Sequence, residues 1–389
     1  MQKLLKLNYE VSVNQSARKP LSEVRRNLRI KWYRCPIEPP KLRELSRRND
    51  LKGFSQALGH LGLWIVTGLL SYLFFLKGSW IGFGFAIILH GTVGSFFTAA
   101  HHELSHGTVF ETKRLNTVFL SIFSLLGWLN FRVYKMSHTY HHRFTLFPEG
   151  DKEEVHPKTP SLHFLYLIQL LTLNITGGEK SRGIIPTVKN FVMIAFNNLD
   201  NPMNDWDEAL YNEVPEEGKK AVNWARLVLV FHLAIIFSSF VIGQPIIAVL
   251  VSGHLFIGNL LYYFVGSPMH CGLRTNVPDF RKCVRNNTLD PISEFLYWNM
   301  NWHLNHHMFA AVPCYNLKKL HQVIADDLPK PKNLLVTWKE MREIMRKQQK
   351  DPNYEYDTPV PPPRERMRSE QKKDIIAESI GDLAPKAIA

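Results

Sequence analysis

Three short histidine clusters are the part of this sequence that could do chemistry. Within each cluster the histidines are three or four residues apart, so on an α-helix they would project in one direction. Neutral imidazole nitrogen binds iron, copper, nickel and zinc. We therefore predict a metal site with almost wholly nitrogen ligands. The clusters are His102-Glu103-Leu104-Ser105-His106, His138-Thr139-Tyr140-His141-His142 and His303-Leu304-Asn305-His306-His307.

The number of histidines indicates two metal ions rather than one. His270, in the stretch Met269-His270-Cys271-Gly272 directly after an apolar segment, is a natural ninth ligand. Catalytic sites usually keep one coordination position open, so nine ligands exceed what one ion uses. The predicted metal ligands are His102, His106, His138, His141, His142, His270, His303, His306 and His307.

Long uncharged segments that lead into these clusters predict membrane-spanning helices. No Asp, Glu, Lys or Arg lies between Lys52 and Lys77, between Lys77 and Glu103, or from Leu227 to Leu273. A hydrocarbon core of ~30 Å needs about 20 apolar residues as a helix. Buried core helices are the alternative, but the runs are too long and too regularly paired for that. The predicted spans are residues 54–76, 80–101, 223–242 and 245–265, in two hairpins.

The distribution of basic residues predicts the orientation. Residues 1–53 carry fourteen Lys and Arg, whereas the two hairpin loops carry only Lys77. Because basic residues are retained on the cytoplasmic side, both termini and all three clusters are expected there. The predicted fold is all-α and integral to the membrane, with four transmembrane helices in two hairpins and a cytoplasmic helical cap. Residues 115–131 and 161–176 are marginal in length for a crossing and are predicted to be interfacial or re-entrant helices.

The remaining segments set the predicted domain organisation. We expect a cytoplasmic N-terminal segment over 1–53, a membrane domain over 54–325, and a cytoplasmic C-terminal tail over 326–389 that is partly disordered. Residues 198–222 are acid-rich and predicted to be a cytoplasmic loop, and residues 333–350 are predicted to be helical. From Asp351 onward, prolines and mixed charge favour a mostly unstructured chain.

Composition excludes some classes of function. The net charge of +13 would suit nucleic acid or anionic lipid headgroups. No nucleic-acid motif is present and the basic cytoplasmic rim explains much of the excess, so we predict no nucleic-acid partner. The four cysteines show no paired spacing, which favours free thiols in a reducing cytoplasm.

The clusters resemble the histidine boxes of the membrane fatty acid desaturase superfamily. The boxes read H-x-x-x-H, H-x-x-H-H and, after a second hairpin, H-x-x-H-H, and the resemblance covers roughly residues 54–325. It implies a non-haem centre of two iron ions, with dioxygen as co-substrate, that introduces a double bond into a lipid acyl chain. The box histidines and His270 would be the iron ligands. Some members carry an asparagine four residues before the extra histidine, where this chain has Gly266.

The same resemblance implies an external source of electrons. Each turnover needs two, and the chain has neither a His-Pro-Gly-Gly haem motif nor a Cys-x-x-Cys pair. A separate electron-donor protein of the ferredoxin, rubredoxin or b-type cytochrome kind is therefore expected at the cytoplasmic face. A basic surface there would attract an acidic carrier.

Other functions remain open from the sequence. The Glu-Leu start of the first box and the Met-His-Cys-Gly-Leu stretch also resemble membrane alkane hydroxylases, so hydroxylation of an alkyl or acyl chain is an alternative. His102-Glu103-Leu104-Ser105-His106 is also a literal H-E-x-x-H, which would make Glu103 the general base of an intramembrane zinc protease. A metal transporter or binder is the non-enzymatic alternative.

Several residues near the boxes are predicted to support them or to be structural. Ligating histidines usually donate their second N–H to a carboxylate or carbonyl, and Glu103, Glu149, Asp151 and Asn301 are candidates. His101 is expected either to be structural or to hold a metal ligand in place without binding the metal itself. Lone histidines within the spans are expected to be hydrogen-bonded interior groups, and the aromatic residues near the boxes to line a substrate tunnel or to anchor at the lipid interface. These are His60, His90, His232 and His254, and Tyr140, Trp128, Trp298 and Trp302.

Overall fold

The computed structural model describes residues 20–153, 160–177, 183–199 and 205–362 of the chain. This part is mostly helical, as predicted, and its two strands, β1 Asn287–Thr288 and β2 Lys332–Asn333, form one short parallel pair. In chain order its α-helices are α1 Leu21–Asn27, α2 Pro39–Leu45, α3 Asp50–Leu76, α4 Trp80–Ser95, α5 Phe97–Ser105, α6 Lys113–Leu126, α7 Phe131–Phe144, α8 Phe164–Leu171, α9 Ile184–Ala195, α10 Asp205–Tyr211, α11 Pro215–Val241, α12 Ile246–Ala248, α13 Leu260–Gly266, α14 Phe280–Cys283, α15 Pro291–Leu296, α16 His303–Met308, α17 Leu317–Ile324 and α18 Leu334–Lys350.

Three segments in the described part of the chain are single helical spans, long and apolar enough to cross a membrane. They are α3, α4 together with α5, and α11, with 27, 26 and 27 residues. Their outward surfaces are apolar, as at Phe237, which is 72% exposed, whereas the polar His60 and His232 are fully buried. Polar groups inside and apolar groups outside is the pattern of helices surrounded by lipid.

The fourth predicted span is not a continuous helix. Residues 246–266 form α12, a π-helical turn, a 3₁₀ turn and then α13. The chain breaks at Gly258, whose φ is +64° and whose added Cβ would lie 2.5 Å from the carbonyl oxygen of Ile88 in α4. A residue with a side chain would neither adopt this φ readily nor fit so close to α4, so the break depends on glycine.

The break is tolerated because neighbouring groups satisfy the freed backbone. The amide of Asn174 donates to the carbonyl of Phe256 at 2.7 Å, and the Thr92 hydroxyl donates to the carbonyl of Gly258 at 3.0 Å. Backbone groups at membrane depth must be paired inside the protein, because lipid cannot do so. The segment that follows α8 therefore packs against the interrupted element.

Helices α6 and α7 would form a further span only if they are counted together as one bent span. Their axes differ by 111°, so neither continues the direction of the other. Asn130 ends the turn between them and caps α7, its side chain accepting from the amides of Arg132 and Val133. The interfacial or re-entrant placement predicted for residues 115–131 stays a prediction.

Helix α11 begins earlier than the sequence indicates. Residues 198–222 were predicted to be an acidic loop, but α10 and the first eight residues of α11 lie in this range, so the prediction is wrong there. Pro215 occupies the first turn, where its missing N–H is not needed, and Glu216 and Glu217 complement the positive end of the helix.

The C-terminal region packs on the rest of the protein. The predicted helix over 333–350 is confirmed as α18, which begins after Asn333 caps the amide of Val336. Trp338 donates through its indole to the carbonyl of Phe264 at 2.9 Å. Residues 351–362 contain no helix but are held in place, since Tyr356 pairs with Leu273. The rest of the tail lies outside the described residues.

Candidate metal centre

Four segments bring the nine predicted ligands together. The first box lies on α5, after the chain kinks at Phe96 between α4 and α5. The second box lies on α7 and the third on α16. His270 follows α13 and is 2% exposed. All nine side chains are buried except that of His106, which is half-buried.

The histidines form two adjacent groups, each able to hold one metal ion. In each group one ligand atom per residue lies within 4.8 Å of every other. The two groups touch, because the rings of His142 and His307 stack with their centroids 4.3 Å apart. The group of five is His102, His106, His138, His142 and His306; the group of four is His141, His270, His303 and His307.

The second and third boxes each contribute to both groups. His138 and His142 belong to the group of five, whereas His141 belongs to the group of four. In the third box His306 lies in the first group and His303 and His307 in the second. The expectation that each box points in one direction is therefore wrong for these two boxes. On a helix, residue i+4 lies closer to the face of residue i than residue i+3 does. Because α7 and α16 lie between the two groups, the histidines at i and i+4 enter one group and the histidine at i+3 enters the other.

Three carboxylates and one carbonyl fix the outer nitrogens of the ligands. His102 Nδ1 lies 2.9 Å from Glu103, His138 Nδ1 lies 2.7 Å from Glu153, and His141 Nδ1 lies 2.9 Å from Asp151. His270 Nδ1 donates to the backbone carbonyl of Cys283 at 2.9 Å. These contacts orient each ring so that Nε2 points toward its group.

Of the four predicted partners, Glu103 and Asp151 contact ligating histidines in this way. Glu149 is exposed, and Asn301 donates to the carbonyl of Asn287. Glu153 was missed. Its signal in the sequence was the acidic run Glu149-Gly150-Asp151-Lys152-Glu153, which begins seven residues after the second box. Which member of such a run turns back toward α7 depends on the loop conformation.

The arrangement of lone pairs fits bound cations. The carbonyl of Cys283 can only accept, so His270 carries its proton on Nδ1 and presents an Nε2 lone pair. That Nε2 lies 3.0 Å from His303 Nε2, and His141 Nε2 lies 3.2 Å from His307 Nε2. In the group of five, the buried His102 Nε2 has no partner among the described residues. Converging lone pairs and an unpartnered buried nitrogen suit a metal ion at each group.

The electrostatics keep these imidazoles neutral, as metal ligation requires. Burial, followed by the neighbouring imidazoles, holds the pKa of His303, His306 and His307 well below its usual value. For Asp151, burial acts to raise the pKa. The His141 imidazole and two backbone amides outweigh it and lower the pKa of this carboxyl, so it stays ionised beside its histidine.

The third box stands on a constrained backbone. Trp298 and Asn299 both have positive φ, at 52° and 57°, directly before the turn that leads into α16. The fully buried Trp298 is held there because its indole donates to His60 Nδ1 at 2.9 Å. Asn286 accepts from the amide of Leu304 and donates to the side chain of Asn305. Such strain persists only where the surroundings hold it, and here it orients His303.

The aromatic residues near the boxes are held by specific partners. The Trp302 indole donates to Glu294 at 2.6 Å, the Trp128 ring stacks on His232 at 4.0 Å, and Tyr140 accepts from Arg25. All three side chains are buried. Tyr134, which the sequence did not single out, stacks on His138 with ring centroids 4.8 Å apart.

The other histidines in the described part of the chain lie outside the two groups. His101 Nδ1 is 2.8 Å from the Ser124 hydroxyl, and His232 contacts the Ser252 hydroxyl and the Leu125 carbonyl, both at 2.9 Å. His60 and His90 each contact a backbone carbonyl through Nε2, and His254 does so through Nδ1. The prediction that the lone histidines of the spans are hydrogen-bonded interior groups is confirmed. The four cysteines are buried thiols.

Apolar spanning helices and a centre made of histidines define a class, the membrane proteins that bind metal through histidine boxes. The family model for fatty acid desaturase matches residues 78–338, two-thirds of the chain. The match includes all nine histidines, and the chain belongs to the fatty acid desaturase family. Its activity is therefore that of an oxidoreductase of the desaturase and hydroxylase type. No curated protein sequence matches the chain.

Proposed function

We propose that the protein is a membrane fatty acid desaturase that uses a di-iron centre and dioxygen to introduce a double bond into a lipid acyl chain. The observation that carries the proposal is the division of nine histidines, eight of them buried, into adjacent groups of five and four. Nitrogen ligands suit iron, and two neighbouring ions suit a reaction that removes two hydrogens. When bound, the iron pair supplies the oxidising chemistry that no side chain of this protein provides.

The chain's own residues hold and orient this centre. Glu103 lies 2.9 Å from His102 Nδ1, within hydrogen-bond distance, and 3.6 Å from His306 Nδ1, so one carboxyl group contacts ligands from two boxes. Asp151 accepts from His141 and from the amides of Leu146 and Glu153. These contacts fix the positions of the ligands before any metal binds. The position at which the substrate carbon is held would then decide between desaturation and hydroxylation.

The zinc protease alternative is disfavoured by the surroundings of the H-E-x-x-H motif. His102 and His106 share their group with three histidines from the other boxes, whereas catalytic zinc uses three protein ligands and one open position. Glu103, the would-be general base, is fully buried and its carboxylate lies against two imidazoles. It is therefore a positioning group rather than a base for water.

The proposal also includes the substrate, the orientation in the membrane and the electron donor. The substrate is a lipid or other acyl chain that enters from the bilayer, and both termini and the site face the cytoplasm. A separate electron-donor protein of the ferredoxin, rubredoxin or b-type cytochrome kind supplies two electrons per turnover. The basic residues of the N-terminal segment would attract an acidic electron-donor protein.

The test combines metal analysis of the purified protein with lipid profiling of cells that express it. We expect about two irons per chain and a new double bond in cellular acyl chains. New hydroxylated chains with the same iron content would assign the protein to the hydroxylases of the family. One zinc per chain with unchanged lipids would contradict the proposal.

A further inference from the structure

A small cavity lies beside the third histidine box. It has a volume of about 40 Å³ and is lined by residues of the 284–286 segment, of 329–332, of α18 and of 356–358. A single water needs ~10–15 Å³ on this measure, so the cavity has room for one small polar group. Leu304, the neighbour of His303, forms part of its wall.

The lining of this cavity is cationic. Arg285, Lys330 and Lys332 contribute three positive charges and Glu340 one negative charge. Glu340 pairs with both Arg285 and Lys332, which leaves a net charge of two. The guanidinium of Arg285 is 8% exposed; Nη1 donates to the carbonyls of Pro268 and Cys271, but Nη2 is buried and has no partner among the described residues. A buried cationic donor without a partner favours an added acceptor, and Arg285 is among the residues that line the cavity.

An apolar surface adjoins the cavity. Thr337 lines the cavity, and directly before it in α18 lie Leu335, which is 85% exposed, and Val336, which is 48% exposed. Fully exposed leucine at a helix start is unfavourable in water. The exposed cations Lys330, Lys332 and Lys339 flank these two residues in the sequence.

The same surface lies next to the end of the last membrane element. The Trp338 ring is 5.9 Å from Tyr263 of α13, and Tyr263 is 5.6 Å from Tyr166 of α8. Directly before Tyr166 in α8, Phe164 and Leu165 are 71% and 67% exposed. Clustered tyrosine and tryptophan beside exposed apolar residues is typical of the boundary between membrane and water.

From these observations we propose that the start of α18 dips into the membrane interface and that the cavity beneath it binds the phosphate of an anionic membrane lipid. Leu335 and Val336 contact the acyl region, and Arg285 and Lys330, which both line the cavity, bind the phosphate oxygens. Because Arg285 also holds the carbonyls on both sides of His270, the bound lipid would stabilise the segment that carries this histidine. The proposal does not depend on the reaction that the protein catalyses.

The apolar contact is tested with full-length protein in lipid nanodiscs. Leu335→Cys is labelled with an environment-sensitive fluorophore, which is selective because the native cysteines are buried. Gln349→Cys is the matched control, an exposed polar position ~21 Å further along the same helix at 1.5 Å per residue. We expect a lipid-borne nitroxide to quench the label at position 335 and not at 349. Equal quenching, or none at 335, would overturn the membrane contact.

The phosphate site is tested by thermal unfolding in detergent with added phosphatidylglycerol, phosphatidylcholine or inorganic phosphate. We expect the melting temperature to rise most with phosphatidylglycerol. Lys330→Gln should weaken its apparent affinity about fivefold, the factor for ~1 kcal/mol per cation at an anionic lipid surface. Lys339→Gln is the control, an exposed cation of α18 outside the cavity. Equal effects of the two variants would indicate unspecific attraction. Stabilisation by inorganic phosphate but by neither lipid would indicate a soluble anion. No response to any of the three additives would indicate a cavity filled by water. Each of these results would overturn the proposal.

Discussion

Two sets of buried histidines in this protein differ in what their second ring nitrogen faces. In the spanning helices, His232 is paired at both nitrogens, with a hydroxyl and a carbonyl. In the metal centre, His270 is paired through Nδ1 with a carbonyl, but its Nε2 faces another imidazole at 3.0 Å. Burial alone therefore does not distinguish a ligand from a structural histidine. The distinguishing feature is a lone pair that meets other lone pairs.

The hydrogen-bond partners of the rings also differ between the two sets of histidines. Among the structural histidines, His60 of α3 bonds to a carbonyl of α4, and His232 of α11 bonds to a carbonyl of α6 and to a hydroxyl of the π-helical turn, so they tie spanning helices to their neighbours. Three of the nine in the centre bond to carboxyl groups, and one of these, Asp151, has a lowered pKa that keeps it ionised beside a site that would hold cations. The two sets should therefore respond differently to substitution, one in stability and the other in metal content.

The largest effect is expected from His306→Ala. His306 Nε2 lies 3.1 Å from both His106 and His142, so its loss removes the third box from the group of five. Activity should be abolished and iron content reduced, with membrane insertion unchanged. The measurements are acyl-chain profiles of expressing cells and iron per purified chain. A His306→Ala protein with full turnover would contradict the di-iron assignment.

The carboxylates behind the ligands come next. Glu103→Gln replaces the carboxyl group that lies against His102 and His306 with an amide, and we expect a 10–100-fold loss of iron affinity. Iron binding to apo-protein in competition with a chelator measures this affinity. Glu149→Gln is the matched control, because it removes an exposed carboxylate from the segment that follows the second box. Equal affinities for the two variants would place Glu103 outside the metal centre.

The pH dependence of the metal-free protein sharpens the comparison further. The pKa values of His303, His306 and His307 are lowered by folding, so between the folded and unfolded values the unfolded chain binds more protons. Their contribution to stability is complete above the unfolded pKa of ~6.5 and falls as the pH drops below it. Melting temperatures of apo-protein from pH 8 to 5 should therefore decline below about pH 6.5. A constant or rising melting temperature would contradict this.

A smaller effect is expected for the structural set. His232→Leu leaves the Ser252 hydroxyl and the Leu125 carbonyl without their partner and should cost on the order of 1–3 kcal/mol of unfolding free energy. The melting temperature should fall while iron content stays at the wild-type level. Loss of iron at unchanged stability would move His232 into the other set.

The smallest effect is expected at His101, the neighbour of the ligand His102. Its Nδ1 bonds to the Ser124 hydroxyl, and His101→Asn should cost about 1 kcal/mol. Iron content and activity should remain close to those of the wild type. This variant shows whether adjacency to a box, or the direction of the ring, decides ligation.

The metal centre could be predicted from the sequence to the level of its residues but not of their grouping. Spacing of three and four along a helix and position after apolar runs selected the nine histidines. The division of His141 from His138 and His142 depends on how α7 is rotated between two neighbours, which no local pattern encodes. Glu153 was missed because the conformation of an acidic loop decides which of its carboxylates turns inward.

The helical fold was predictable where hydropathy is continuous and less so where packing interrupts it. Residues 246–266 read as one apolar span, yet Gly258 and the contacts of Thr92 and Asn174 stabilise a break there. Residues 215–222 read as a loop because they are polar, yet Pro215 starts a helix that extends beyond its apolar part. In both cases tertiary contacts or end signals outweighed mean hydropathy.

The central claim is that nine histidines hold two metal ions, and the most direct test is the iron stoichiometry of the purified protein. The protein should be expressed with sufficient iron, purified in mild detergent, and measured for iron and zinc against quantitative amino-acid analysis. The arrangement in groups of five and four predicts close to two irons per chain and little zinc. One metal ion per chain, or none, would contradict it.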